Sequence, residues 1–99
     1  MVAADFPEGV TVLGDVAAET RVVMGAISEM LSEVGLNLED VVKADVHLAD
    51  LSDFDAMDAA YREYFSPAVY PARTTTESPK LFGGSKVEVT VQARLRNLL

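Results

Sequence analysis

The chain has no cysteine, a single histidine, and only eight lysines and arginines against sixteen aspartates and glutamates. Without cysteine there are no disulfides, no thiolate metal sites and no thiol nucleophiles, which fits a cytosolic setting. One histidine is a poor basis for a transition-metal site. The formal charge of −8 makes the average surface repel nucleic acid and anionic membranes, and its plainest consequence is solubility. No apolar run reaches the ~20 residues that cross a bilayer. Met1-Val2-Ala3-Ala4-Asp5 lacks the basic and apolar stretches of a secretory signal. The expectation is a cytoplasmic protein with no membrane partner and with neither metal nor cofactor.

Ninety-nine residues, 49% hydrophobic and 24% charged, are enough for one packed core and leave little room for a second. The segment Phe6-Pro7-Glu8-Gly9 reads as a loop and Val10-Thr11-Val12-Leu13 as a short β-like run. Asp15 is then placed to cap a helix. Its apolar stripe is Val16, Val23, Ile27, Met30, Leu31 and Val34, and Gly35 closes it. From Val41 to Leu48 the residues alternate, with Val42, Ala44, Val46 and Leu48 on one face, the pattern of a strand covered on one side. Ser52 and Asp55 resemble a capping box for a second helix carrying Phe54, Met57, Tyr61, Tyr64 and Phe65 and ending before Pro67. Arg73 to Thr76 reads as a strand and Phe82-Gly83-Gly84-Ser85 as a turn. In the last strand, Lys86 to Leu95, the inward positions are Val87, Val89, Val91, Ala93 and Leu95, and Glu88 and Arg94 face outward. Helices alternating with one-sided strands imply an α+β layer, both helices lying on one sheet face.

Two helices side by side span roughly 20 Å, whereas three strands make a sheet about 14 Å wide. The first helix would overhang, and the outer sheet face is rich in Thr, Arg, Glu and Gln. Association of chains answers both problems, so an oligomer is expected.

Five motifs follow one another in a known order. They are Gly14-Asp15-Val16-Ala17-Ala18-Glu19-Thr20-Arg21, Val41-Val42-Lys43-Ala44-Asp45-Val46, Asp50-Leu51-Ser52-Asp53-Phe54 with Tyr61-Arg62-Glu63-Tyr64-Phe65, Pro71-Ala72-Arg73-Thr74-Thr75-Thr76-Glu77, and Lys86-Val87-Glu88-Val89. Together they resemble the YjgF/RidA family, from about Val2 to Arg94. The resemblance implies a chorismate-mutase-like α+β fold, two helices on one mixed sheet, assembled as a trimer with clefts between subunits. Residues 1–99 are expected to be a single such domain without the family's usual first two strands, which normally supply a tyrosine and a serine to the cleft. The activity implied is a hydrolase's: enamine and imine deamination, turning 2-iminopropanoate or 2-iminobutanoate into a 2-oxo acid and ammonia. Arg73 matches the family's carboxylate-binding arginine and Glu88 the glutamate that positions the attacking water; the backbone near Thr75 matches the part that holds the nitrogen end. Where many relatives have asparagine in the second helix this chain has Asp58, and where some have cysteine it has Thr75.

The residue chemistry suits that reaction. A guanidinium grips a carboxylate through two parallel N–H bonds and keeps its charge at any working pH. A carboxylate can hold and deprotonate a water. Strand parity places Arg73 and Glu88 on neighbouring polar positions, where the plainer reading is a cross-strand ion pair. His47 reads as a solvated strand residue. Asp50, Asp53, Asp55 and Asp58 lack EF-hand spacing and read as helix-start charges. The family has also been called endoribonucleolytic, but the negative charge and the lack of interleaved aromatic and basic residues give that little support. The alternative to a deaminase is a non-catalytic oligomer of the same fold, binding small metabolites or acting as a chaperone.

Overall fold

The computed structural model describes residues 1–95. Its elements are α1 (Pro7–Val10), α2 (Val16–Glu33), β1 (Val41–Leu48), α3 (Phe54–Arg62), β2 (Ala72–Glu77) and β3 (Val87–Ala93), joined in places by single 3₁₀ turns. The strands form one mixed sheet in the order β2-β1-β3, with β1 parallel to β2 and antiparallel to β3. A parallel pair needs a crossover, and α3 provides it. The fold is the expected α+β layer. Val23, Met24 and Ile27 of α2, together with Met57, Tyr61 and Phe65 at α3, are buried against Ala44, Val46, Leu48, Val87 and Val89 of the sheet.

The first long helix is bounded as its sequence dictates. The Asp15 carboxylate accepts from the Ala18 N–H, satisfying one of the donors that a helix start leaves free. At the other end Leu36 N–H donates to Leu31 C=O and Gly35 N–H to Ser32 C=O, a Schellman closure. It requires positive φ at Gly35, which stands at +77° and which glycine adopts without strain. The two long helices are tied by a two-pronged contact, Arg21 Nε and Nη2 on the Glu63 carboxylate at 3.1 and 2.9 Å. Tyr64 adds a hydrogen bond to Arg21 C=O.

Several expectations are corrected. Val10 to Leu13 is not a strand: Pro7 starts the short helix α1, a position where its fixed φ and missing N–H suit a helix, and the following residues turn into α2. What the N-terminal segment adds to the sheet is an isolated antiparallel bridge from Val2 to Glu88. Val41 rather than Val42 points inward, because the β1–β3 register shifts between Val41 and Lys43 and such a bulge inverts the alternation. The box at Ser52 does not form: Asp50 instead accepts from Ser52 N–H, capping a 3₁₀ turn that leads into α3. Leu95 lies past the end of β3 and is 80% exposed. The shortage of sheet under α2 is visible. Met30 and Val34 stand open to solvent, Val34 at 67%. A groove of about 310 Å³ runs between α2 and β3, lined by Met1, Ile27, Met30, Leu31, Val89, Thr90 and Val91.

Candidate functional site

β2 is a sheet-edge strand without one large apolar residue, so its own sequence gives no sign of which face is which. Its pairing decides. Arg73 stands opposite Ala44 and Thr75 opposite Val46, and directly paired residues share a face. Arg73 and Thr75 therefore lie on the helix-covered side. Glu88 stands opposite His47, on the open side, and on the strand at the other edge of the sheet. The expected neighbourhood of Arg73 and Glu88 is thus overturned within one chain: they occupy opposite faces with β1 between them.

Arg73 reaches from the sheet edge beneath α3. Its guanidinium carbon lies 4.8 Å from the Tyr61 ring centre and 5.3 Å from that of Phe54, where the negative faces of the rings attract a cation. Its Nη1 is 2.7 Å from Asp58 Oδ1, and the two side chains are each 18% exposed. Despite that distance, Asp58 Oδ1 has no aligned hydrogen bond. The contact is one of charge, and the N–H fork of Arg73 is not closed by any protein acceptor among the described residues. The other Asp58 oxygen accepts from Arg62 Nε at 2.8 Å, an i,i+4 pair along α3. Arg62 in turn lies over the Tyr70 ring at 5.3 Å. These residues line one cleft of about 240 Å³: Asp58, Tyr61, Arg62, Tyr70, Pro71 and Arg73. The Tyr61 hydroxyl is buried without a partner, and burial pushes its phenol above the ordinary value by disfavouring the phenolate.

Asp58 therefore lines this cleft, and Asp50, Asp53 and Asp55 do not. Arg62 and Tyr70 escaped the sequence reading. The signal available for Arg62 was its spacing of four from Asp58. Among the described residues no group of three or more His, Asp or Glu side chains is arranged to hold a metal ion.

A row of polar side chains crosses the open face. His47 Nδ1 lies 2.7 Å from Thr76 Oγ1, and Thr74 donates a short hydrogen bond to Asp45. That bond, with Lys43 nearby, holds the Asp45 carboxyl below its usual range. Glu88 sits in this row beside His47 and Thr90. A further acid was not anticipated at all. Glu19 is completely buried, its carboxylate accepting from Gly14 N–H at 2.7 Å and Lys86 N–H at 2.8 Å.

The chain is thus a small α+β layer that presents an arginine with an open fork to a cleft at the sheet edge. Residues 2–95 match the family model Endoribonuclease L-PSP, and the chain belongs to that family, the YjgF/RidA group expected from its motifs. It is 42% identical over 77 residues to a RutC family protein of Pyrococcus abyssi, covering 78% of this chain and 60% of that protein. It is 36% identical over 85 residues to the 2-iminobutanoate/2-iminopropanoate deaminase of Bos taurus, covering 86% of this chain and 61% of the relative. Among solved structures, the YjgF gene product of E. coli superposes with a TM-score of 0.78 at 33% identity, covering 84% of this chain and 67% of that one. The chain thus spans about 60% of the length of the curated relatives it matches. No helix among the described residues is long and apolar enough to cross a membrane.

Proposed function

We propose that the chain takes part in hydrolysis of 2-imino acids to 2-oxo acids and ammonia in the cytoplasm, with Arg73 as the carboxylate anchor. The observation that carries this reading is the Arg73 guanidinium itself. It is held in place by two rings and one carboxylate, opens onto a cleft, and has no aligned protein acceptor. A planar carboxylate completes such a fork with two parallel bonds. In the reaction, a water oxygen bonds to the imine carbon while the C=N electron pair moves to nitrogen. The C–N bond then breaks, ammonia leaves and the carbonyl forms. Thr75, on the same face as Arg73, is suited to hold the nitrogen end through its backbone. Glu88 is the group assigned to position and deprotonate the water.

Because Arg73 and Glu88 face opposite ways in one chain, this chemistry requires assembly, with Glu88 of a second copy brought to the Arg73 cleft. A homotrimer with sites at its seams satisfies that requirement, and it also covers the polar sheet face and the overhanging helix. The same opposite-face placement favours the second reading, a carboxylate-binding oligomer without hydrolysis, if the assembly leaves Glu88 elsewhere.

The test is to generate 2-iminobutanoate in situ and follow its trapping by semicarbazide. Suppression of the semicarbazone by the wild-type chain is expected, and a chain that leaves trapping unchanged rules the hydrolytic reading out. Sedimentation should show a trimer; a stable monomer at micromolar concentration removes the shared site.

A further inference from the structure

The cleft at Arg73 holds a second guanidinium for which the imine chemistry above has no use. Arg62 lines the same cleft, so two of the chain's eight basic residues converge on one space in a molecule of charge −8. Its side chain is 59% exposed, yet it is fixed from two sides. Nε is bound to Asp58 Oδ2 at 2.8 Å, and the guanidinium lies over Tyr70. Only Nε is engaged; neither Nη group has a protein acceptor among the described residues. Asp58 spaces the two arginines by giving one oxygen to each, 2.8 Å to Arg62 and 2.7 Å to Arg73. Their facing ends are therefore separated by little more than one carboxylate. Tyr70 and Pro71 line the same cleft.

We infer that this cleft selects a dicarboxylate: a 2-imino or 2-oxo acid whose side chain ends in a second carboxylate, with the first carboxylate on Arg73 and the second on Arg62. This rests on the reading of Arg73 as carboxylate anchor and names the substrate class of that site. A carbon chain of four or five atoms spans roughly 4–5 Å between its ends, which suits two guanidiniums spaced by one aspartate. Charge balance agrees. The trio Arg62, Asp58 and Arg73 carries one net positive charge. A 2-imino dicarboxylate protonated on nitrogen carries one net negative charge, whereas its monocarboxylate counterpart is neutral overall. The bond to Arg62 is made at a half-open position, so its contribution is a preference and not an absolute requirement.

The stable product acids provide the test. Binding of 2-oxoglutarate and 2-oxobutanoate is measured by NMR titration on the assembled wild-type protein, on Arg62→Gln and on Arg73→Gln. The wild type should bind 2-oxoglutarate roughly fivefold more tightly. Arg62→Gln should remove that preference by weakening 2-oxoglutarate more than 2-oxobutanoate, and Arg73→Gln should weaken both. Arg62 is at the surface, so its replacement leaves the core intact; an unchanged thermal midpoint checks this. Equal affinities in the wild type, a preference that survives Arg62→Gln, or binding of neither acid overturns the inference. The imine-trapping assay is read separately. Hydrolysis of 2-iminobutanoate without a dicarboxylate preference rejects only this inference. A dicarboxylate preference that depends on Arg62, in a chain that hydrolyses no imine, rejects only the deaminase.

Discussion

Glu19 and Asp58 are both acids held against the helical layer, and their surroundings treat them differently. Glu19 is sealed from water, and its two oxygens close on two backbone N–H groups, one before α2 and one before β3. Nothing is left over. Asp58 touches two arginines, yet one of its oxygens lacks an aligned bond, and the N–H groups opposite it still face a cleft. A buried polar group whose bonds are complete is part of the scaffold, because opening it leaves stranded donors. A cluster with bonds to spare, facing a cavity, is where a ligand finds partners. The two acids separate the part of the chain that holds shape from the part proposed above to meet substrate.

The sharpest way to break that distinction is to exchange expectations between the two places. Glu19→Ala strands two backbone donors and should cost roughly 2–4 kcal/mol, seen as a lower urea midpoint; a loss under a few tenths would show that water replaces the carboxylate. Arg73→Gln should lower imine hydrolysis about a hundredfold with little change in that midpoint. Equal damage to stability and turnover would mean Arg73 belongs with Glu19 on the structural side. Tyr61→Phe removes a buried hydroxyl that has no partner, so stability should hold or rise by about 1 kcal/mol; a fall in thermal midpoint would reveal a bond to that hydroxyl.

The smallest effect comes from the solvent-exposed pair between the helices. The Arg21 guanidinium hydrogen-bonded to Glu63 holds that carboxyl below its ordinary value. The folded state therefore binds its proton less readily than the unfolded chain. The pair's contribution is present above the ordinary glutamate range and is lost as pH falls through the depressed folded value. Acid titration of stability should show slightly less decline in Glu63→Gln than in the wild type, and identical curves would remove the pair from the account.

The parts of this fold written in strong local contrast could be read from sequence. Asp15, the Val23 and Ile27 stripe and Gly35 delimit α2, and the alternation from Ala44 to Leu48 marks the face of β1. The failures lie where local contrast is absent or overruled. Ala72 to Glu77 holds no large apolar residue to mark a face, so parity put Arg73 on the wrong side, and only pairing with Ala44 reveals it. Nothing in the sequence signals the burial of Glu19, because its partners are backbone groups that no pattern announces. Arg73, as the residue to watch, was legible through the Pro71-Ala72-Arg73 motif. Its companions Arg62 and Tyr70 come from the last residue of α3 and the segment after it, and their meeting with Arg73 is a tertiary contact that local spacing does not encode.

The most direct measurement is the side-chain ¹⁵N resonance of Arg73, assigned by its disappearance in Arg73→Gln and followed while 2-oxobutanoate is added. A free fork closing on a carboxylate predicts a saturable shift of the Arg73 Nε–H signal, with Arg21 unmoved. A signal that stays in place at concentrations where the acid binds elsewhere would mean that Asp58 is the only partner this guanidinium ever has.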